Sequence, residues 1–201
     1  MADPLHKPWP VRQELRSAAG FSFVDLVVVM AMMGTLAAIA IPAIHNMSDA
    51  IALGEAQRMI RSELQQARLK AVSSNRIMRV RFDCLGPNEF RMVELIGTPS
   101  APAPQDTASN RCSDTAYPYP AADHNPVTVP NQDGPVKRFD PVVSFGATQT
   151  IEFRPTGTAH SVNADGTSGP PLAGTGAAIT VTKGAVVKTV TVNAVGRVQN
   201  Q

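Results

Sequence analysis

The stretch Gly20-Phe21-Ser22-Phe23-Val24-Asp25, followed by an apolar run that reaches Ile44, decides the fold class of this chain. Between Phe21 and Ile44 the only ionisable side chain is Asp25. As a helix, the run would be about 36 Å long at ~1.5 Å per residue, and the hydrocarbon core of a bilayer is roughly 30 Å thick. The run is therefore predicted to span a membrane once. A carboxylate inside such a segment is a functional-site candidate because a charge there is costly.

The segment before this run, residues 1–20, is polar, broken by proline and basic, with Lys7, Arg12 and Arg16. Basic residues beside the first span keep that end of the chain in the cytoplasm. We therefore expect a single-pass topology in which the amino terminus is cytoplasmic and the C-terminal domain lies across the membrane.

Two cleavage sites are compatible with this leader. An ordinary secretory signal is cut after its apolar region at a small-residue site, and Ala38-Ile39-Ala40 meets that pattern. The mature chain would then begin at Ile41 and could be a periplasmic binding protein. Asp25 is unusual in the apolar region of an export signal, and the helical pattern continues past the alanines. We therefore predict cleavage before the run, between Gly20 and Phe21.

The residues from Gly20 to Val29 resemble the class III signal of type IV pilins and type II secretion pseudopilins. The resemblance implies that a prepilin peptidase cuts after Gly20 and methylates the new amino terminus, Phe21. It also implies a bacterial inner-membrane protein with a periplasmic domain, whose partners are other pilins or pseudopilins and an inner-membrane assembly platform. After assembly the subunit would lie in a filament.

Two further residues take roles from this resemblance. The carboxylate at the fifth mature position, here Asp25 where the family usually has glutamate, would pair with the amino terminus of a neighbouring subunit. Such pairing offsets much of the cost of an ion in hydrocarbon. Pro42 would bend the helix, as expected for a proline inside a helical pattern.

An amphipathic helix is predicted over residues 45–75, after the membrane segment at 21–44. Apolar residues recur every three to five positions, which is typical of one helix face. They are Met47, Ile51, Ala56, Ile60, Leu64, Ala67 and Ala71. The charged residues of the segment, including Glu63 and Arg68, are predicted to be solvated. Ser73-Ser74-Asn75 favours a helix end.

Residues 76–201 are predicted to form a periplasmic β-rich domain. Met78, Val80 and Phe82 alternate with charged residues, which indicates a half-buried strand. The turn residues Gly86-Pro87-Asn88 predict a hairpin with a second strand at 89–96. Further strands are predicted at 142–145, 150–153, 178–182 and 186–192. The predicted fold class is α+β and pilin-like, with the long N-terminal helix packed on an antiparallel sheet.

Residues 97–141 differ in composition from the rest of this domain. They hold nine of the seventeen prolines, and proline cannot donate to a strand ladder. The segment is predicted to be a long surface loop or insertion.

Three other segments resemble the GspH/FimT-like minor pilins and pseudopilins in particular. They are Leu64-Gln65-Gln66-Ala67-Arg68, residues 151–157 and residues 192–198. This resemblance implies a structural subunit of either a type II secretion pseudopilus, which exports folded proteins, or a type IV pilus.

Cys84 and Cys112 are the two cysteines, and both would face the oxidising periplasm. We predict that they form a disulfide that ties the insertion to the first hairpin. The bridge would close a loop of about 29 residues, for roughly 3.6 kcal/mol in the chain-entropy model. Two unpaired thiols are the alternative.

Candidate catalytic and metal-binding sets are weak. His160, Ser161 and Asp165 are neighbours in a glycine-rich turn, whereas a triad is recognised by its geometry in space. Asn163, Asp165 and Thr167 place oxygens at alternate positions, without the later glutamate of a calcium loop. We predict no enzyme activity, no cofactor and no metal site.

DNA binding is the alternative function that the basic residues suggest. The overall charge is only +2, which is no global nucleic-acid signature. Some FimT-like minor pilins, however, bind DNA through a basic C-terminal motif around a Gly-Arg pair, which Gly196-Arg197 matches. Arg197, Lys183 and Lys188 are therefore candidate DNA contacts. The competing interpretation is a solvated face or a set of subunit-contact charges.

Overall fold

The computed structural model describes residues 22–125, 127–146, 149–184 and 186–200, without the side chains at positions 42, 43 and 46. The chain divides into two compact units, Met1–Ile44 and His45–Gln201. A single helix, α1, runs from Phe23 to Ser74 and belongs to both units. The second helix, α2, is one turn long, Pro104–Thr107.

Twelve strands follow α1 in the described part of the chain. They are β1 Met78–Phe82, β2 Glu89–Glu94, β3 Gly97–Thr98, β4 Ala101–Pro102, β5 Lys137–Arg138, β6 Ser144–Phe145, β7 Ile151–Phe153, β8 Ala159–Val162, β9 Ser168–Pro171, β10 Ala177–Lys183, β11 Val186–Val192 and β12 Val198–Asn200. They form a six-stranded sheet in the order β5-β2-β1-β7-β8-β9, a four-stranded sheet in the order β12-β11-β10-β6, and the pair β3-β4. Every pairing is antiparallel. The predicted α+β class, with a long N-terminal helix followed by antiparallel sheet, is confirmed.

The N-terminal unit consists, where it is described, of the first part of α1. Its stretch Phe23–Ile41 has a mean hydropathy of 2.3 and none of it is buried. Phe23 is 77% exposed and Ile39 is 74% exposed. This one helix is therefore long and apolar enough to cross a membrane, as a signal sequence also is.

In the second unit, one stripe of α1 packs on the sheets. Its buried members are Leu53, Ala56, Ile60, Leu64, Ala67 and Ala71, spaced by three or four residues. The sequence prediction of this stripe was wrong at its start. Met47 and Ile51 are exposed because the buried stripe begins at Leu53.

The end of α1 is a Schellman motif. Asn75 takes a left-handed conformation, with φ 55°, just beyond the last helical residue. The Arg76 amide then donates to the Ala71 carbonyl over 3.2 Å. Asparagine tolerates this conformation better than other residues with a side chain, so the predicted stop at residues 73–75 has a local cause.

The two predicted hairpins are present as β1-β2 and β10-β11. Strands β8, β9 and β12 were missed, as were the two-residue strands β3, β4 and β5 within the predicted loop of residues 97–141. Residues 168–171, Ser-Gly-Pro-Pro, have no strand-like alternation, and β9 is tolerated because it lies at an edge of its sheet. These strands are specified by their neighbours in the sheet and not by their own residues.

Candidate assembly helix, buried ionic network and basic groove

Asp25 lies in the first turn of α1 and makes a local contact there. Its Oδ2 accepts a hydrogen bond from the Ser22 amide over 3.3 Å, while the Ser22 hydroxyl accepts from the Val24 amide over 3.4 Å. These two bonds satisfy amides that a helix start leaves unpaired. The carboxylate therefore has an intrachain partner in the isolated chain, at the exposed end of the apolar helix.

The proposed cleavage site, Gly20 and Phe21, lies outside the described residues. Pro42 lies within α1 and the helix continues through its position. The proposed bend at Pro42 stays a prediction.

The outer face of the six-stranded sheet carries charges that the sequence predicted to be solvated. Arg79 and Glu152 are paired across β1 and β7, and both are fully buried. Arg79 Nη2 donates to Glu152 Oε2 over 2.8 Å, and Arg79 Nη1 donates to Asp106 Oδ2 over 2.7 Å. The prediction of a half-buried β1 was therefore wrong at Arg79, where both faces of the strand are buried. Asp106, on α2, covers it.

A second buried arginine, Arg111, is supplied by the insertion itself. Its Nη2 donates to Asp133 Oδ1 over 2.8 Å and to the Glu94 carbonyl over 2.7 Å. The Tyr117 ring lies against the guanidinium, with its centroid 4.4 Å from Cζ. Arg111 thus joins two segments of the insertion, its own and that of Asp133, to the end of β2.

Arg91 on β2 is held by backbone carbonyls of the insertion. Its three donor nitrogens reach the carbonyls of Gly134, Cys112 and Tyr117 over 2.7, 3.0 and 2.7 Å. Burial lowers the pKa of Arg91, and the negative charges of Asp133 and Asp114 oppose that shift. Residues 97–141 are therefore packed on the sheet through a network of buried arginines.

The predicted disulfide between Cys84 and Cys112 is present, with 5.8 Å between the Cα atoms. Cys112 is fully buried beside the carbonyl that accepts from Arg91. The bridge joins the β1-β2 turn to the insertion, as predicted. A smaller correction concerns Glu63, which is fully buried and forms an ion pair with Lys137 instead of facing solvent.

The three candidate DNA contacts do not lie together in the structure. Lys183 Nζ pairs with Asp49 Oδ1 at 3.0 Å. Lys188 lies over α1 near Gly54, where an added Cβ would be 3.5 Å from its Nζ. Arg197 lies further along the helix, in a groove described next. Lys183 and Lys188 are thus separated from Arg197 along the length of α1.

Arg197 shares a groove of about 400 Å³ with two arginines of α1, Arg61 and Arg68. Arg68 Nε donates to the Gly157 carbonyl over 3.1 Å. Gly196, with φ 71°, lies so close to Arg68 that an added Cβ would be 2.8 Å from its Nε. Only glycine fits this turn, so Gly196 allows Arg197 to reach the helix. No pattern in the sequence indicates that Arg61 and Arg197 are neighbours.

The prediction that the catalytic candidates share one turn was wrong, because His160 and Ser161 lie on β8 and Asp165 lies in the turn that follows. The calcium candidates form ordinary turn contacts. Asp165 Oδ1 accepts from the Thr167 amide over 2.9 Å and from the Thr167 hydroxyl over 2.6 Å, within the β8-β9 turn. These bonds lower the pKa of the exposed Asp165 carboxyl. Among the described residues there is no group of three or more metal-ligating side chains.

No family model matches this sequence, and no curated protein matches it. Two crystal structures of the Pseudomonas aeruginosa type IV minor pilin FimU are similar to the chain at 13% sequence identity. They cover 74% and 77% of this chain and 92% of FimU, with TM-scores of 0.43 and 0.45. Scores below 0.5 do not assign the chain to a family, so its function is argued from its own residues and fold.

Proposed function

We propose that this protein is a structural subunit of a pilin-like filament, a minor pilin or pseudopilin. The observation that carries the proposal is the wholly exposed apolar stretch Phe23–Ile41, which has Asp25 as its single charge. Such a surface is unstable in water and needs lipid or other apolar helices to cover it. The membrane covers it before assembly, and the same faces of neighbouring subunits cover it in the filament.

Asp25 provides the register of this packing. Its carboxylate leaves the Ser22 amide and pairs with the methylated amino terminus of a neighbouring subunit. The exchange replaces a neutral donor with a charged one, and a charge-assisted hydrogen bond is roughly twice as strong. The sheet domain of residues 76–201 then faces outward, held by α1.

Processing at Gly20 tests the proposal. Mass spectrometry of the mature protein should find N-methylated Phe21 as the first residue. Replacement of Gly20 by valine should leave the leader attached, because the peptidase must approach a backbone without a side chain. A matched change at Ala19 should be processed normally. A mature chain that begins at Ile41 would establish the cleaved-signal alternative and end the proposal.

The subunit belongs to one of two assemblies, a type II secretion pseudopilus or a type IV pilus. Genes for a secretion ATPase and secretin beside this one would favour the type II secretion pseudopilus. Loss of twitching or transformation on deletion would favour the type IV pilus.

DNA binding is a second candidate function, and the groove of Arg61, Arg68 and Arg197 is the observation in its favour. Phosphate contacts release counterions, so binding would weaken steeply with added salt. Arg197→Gln should reduce binding, whereas Lys183→Gln should not, since Lys183 is paired with Asp49. Absence of binding at low salt would exclude this function.

A further inference from the structure

A cavity of about 440 Å³ lies between the β1-β2 turn and the end of α2. Its lining includes Arg81, Phe82, Leu85, Thr107, Ser109 and Thr150. We call it the Arg81 cavity. None of the functions discussed above uses it.

Three arginines surround Asp106, and the Nε atoms of two of them, Arg81 and Arg111, are buried without a hydrogen-bond partner. Arg111 still donates to Asp133 and to the Glu94 carbonyl through its other nitrogens. Arg81 makes no hydrogen bond to another side chain or carbonyl of the described residues. Its closest carboxylate oxygen, Asp106 Oδ2, is 3.8 Å from Nη2, which is beyond hydrogen-bond distance. Guanidinium carries five N–H donors, and a buried donor without a partner is rare in native proteins.

Asp106 cannot supply the missing bonds because other groups hold it. Its Oδ2 accepts from Arg79 over 2.7 Å, its Oδ1 accepts from the Ile96 amide over 3.2 Å, and Arg111 Nε lies 3.7 Å from Oδ1. Three arginines therefore share this carboxylate. Arg79 also has Glu152, and Arg111 also has Asp133, whereas no second carboxylate lies within ion-pair distance of Arg81 among the described residues.

The charges around Arg81 also leave its positive charge only partly balanced. Burial lowers the pKa of Arg81, Asp106 raises it, and the neighbouring charges of Arg79 and Arg111 lower it further. A carboxylate in the lining, Asp83, accepts from the Asn88 amide over 3.2 Å within the turn. An anion in the cavity would therefore lie beside the Arg81 guanidinium, whose side chain is only 15% exposed.

We propose that the Arg81 cavity binds a carboxylate that carries a small apolar group, with the Arg81 guanidinium as its anchor. The planar fork of a guanidinium matches the two oxygens of a carboxylate. Ser109 and Thr150 add polar residues to the lining, and Phe82 and Leu85 form the apolar part of the wall. Leu85 is 52% exposed, so a ligand can cover it.

The test uses the full chain in detergent micelles, with N-acetyl-leucine as the probe and N-acetylleucinamide as its uncharged match. Isothermal titration calorimetry should show binding of the carboxylate and none of the amide. Arg81→Gln should weaken binding at least about tenfold, because charged hydrogen bonds are lost. The control Arg58→Gln, which removes the same charge from the exposed face of α1, should bind like the wild type.

Nuclear magnetic resonance of the wild-type protein gives an independent measurement if Arg81→Gln fails to fold. The Arg81 Nε–H signal should shift on titration with N-acetyl-leucine. The proposal is overturned if that signal does not move, if the amide binds equally well, or if only inorganic phosphate binds. Because the assay uses unassembled protein, its failure would leave the filament subunit proposal intact.

Discussion

Replacing Arg79 by methionine should be one of the most destabilising single changes in the second unit. Arg79 is fully buried, and it hydrogen-bonds to two fully buried carboxylates, Asp106 and Glu152. Methionine has a similar length but no charge, so the substitution creates little empty space. It leaves the two acids side by side without their shared cation.

The expected loss follows from this geometry. Breaking a buried ion pair by removing one partner costs about 3–5 kcal/mol, because an uncompensated charge stays buried. For a domain of this size, that loss lowers Tm by about 6–20 °C. Combining Arg79→Met with Glu152→Gln removes the stranded charge on β7 and should recover part of the loss, whereas Asp106 keeps its charge because Arg81 and Arg111 lie beside it.

The assay is urea and thermal unfolding of the full chain in micelles, followed by far-ultraviolet circular dichroism. Tryptophan fluorescence is unsuitable, because the single tryptophan, Trp9, precedes the proposed cleavage site. Arg58→Met, at an exposed arginine of α1, is the matched control and should change stability by less than about 0.5 kcal/mol. If Arg79→Met and the control are equally stable, the ionic network does not hold the insertion on the sheet and the reasoning is refuted.

Three further predictions concern the bridge, the core and a turn. Replacing Cys84 and Cys112 by serine should cost about 2–4 kcal/mol in urea unfolding, and an unchanged midpoint would contradict it. Ile60→Ala should cost about 2–5 kcal/mol, because Ile60 is fully buried under the sheets. The Asp165 carboxyl should titrate below 3.8 in carbon NMR, because Thr167 donates to its charged form. Its stabilising contribution is therefore present above pH 3.8 and is lost as pH falls through the lowered pKa.

The helix and its end could be predicted because their causes are local. The spacing of Ala56, Ile60 and Leu64 marks one face of α1, and Asn75 tolerates the conformation that ends it. The hairpins β1-β2 and β10-β11 were predicted for the same reason, since alternating strands flank a turn. The paired cysteines were predicted from their number and their expected compartment.

The missed features have causes that are distant in the sequence. Arg79 and Glu152 look like ordinary solvent-facing charges of two half-buried strands, and only the return of residues 97–141 over the sheet buries them. Proline-rich composition excludes the insertion from the sheet interior, but it does not exclude packing through side chains. The neighbours of Arg197 in its groove could not be predicted either, because Arg61 is more than a hundred residues away in the chain.

By itself, the sequence determined that this chain carries an apolar, membrane-length helix with one acid near its start, an amphipathic continuation and antiparallel strands. Hydrophobic periodicity and turn chemistry are properties of neighbouring residues, so they can be recognised from the sequence alone. Only the tertiary structure decided which charges are buried, which arginines share a groove, and that Arg81 lacks a hydrogen-bond partner among the described residues. Those outcomes depend on desolvation and on contacts between distant segments, and both arise only when the insertion and the sheets come together.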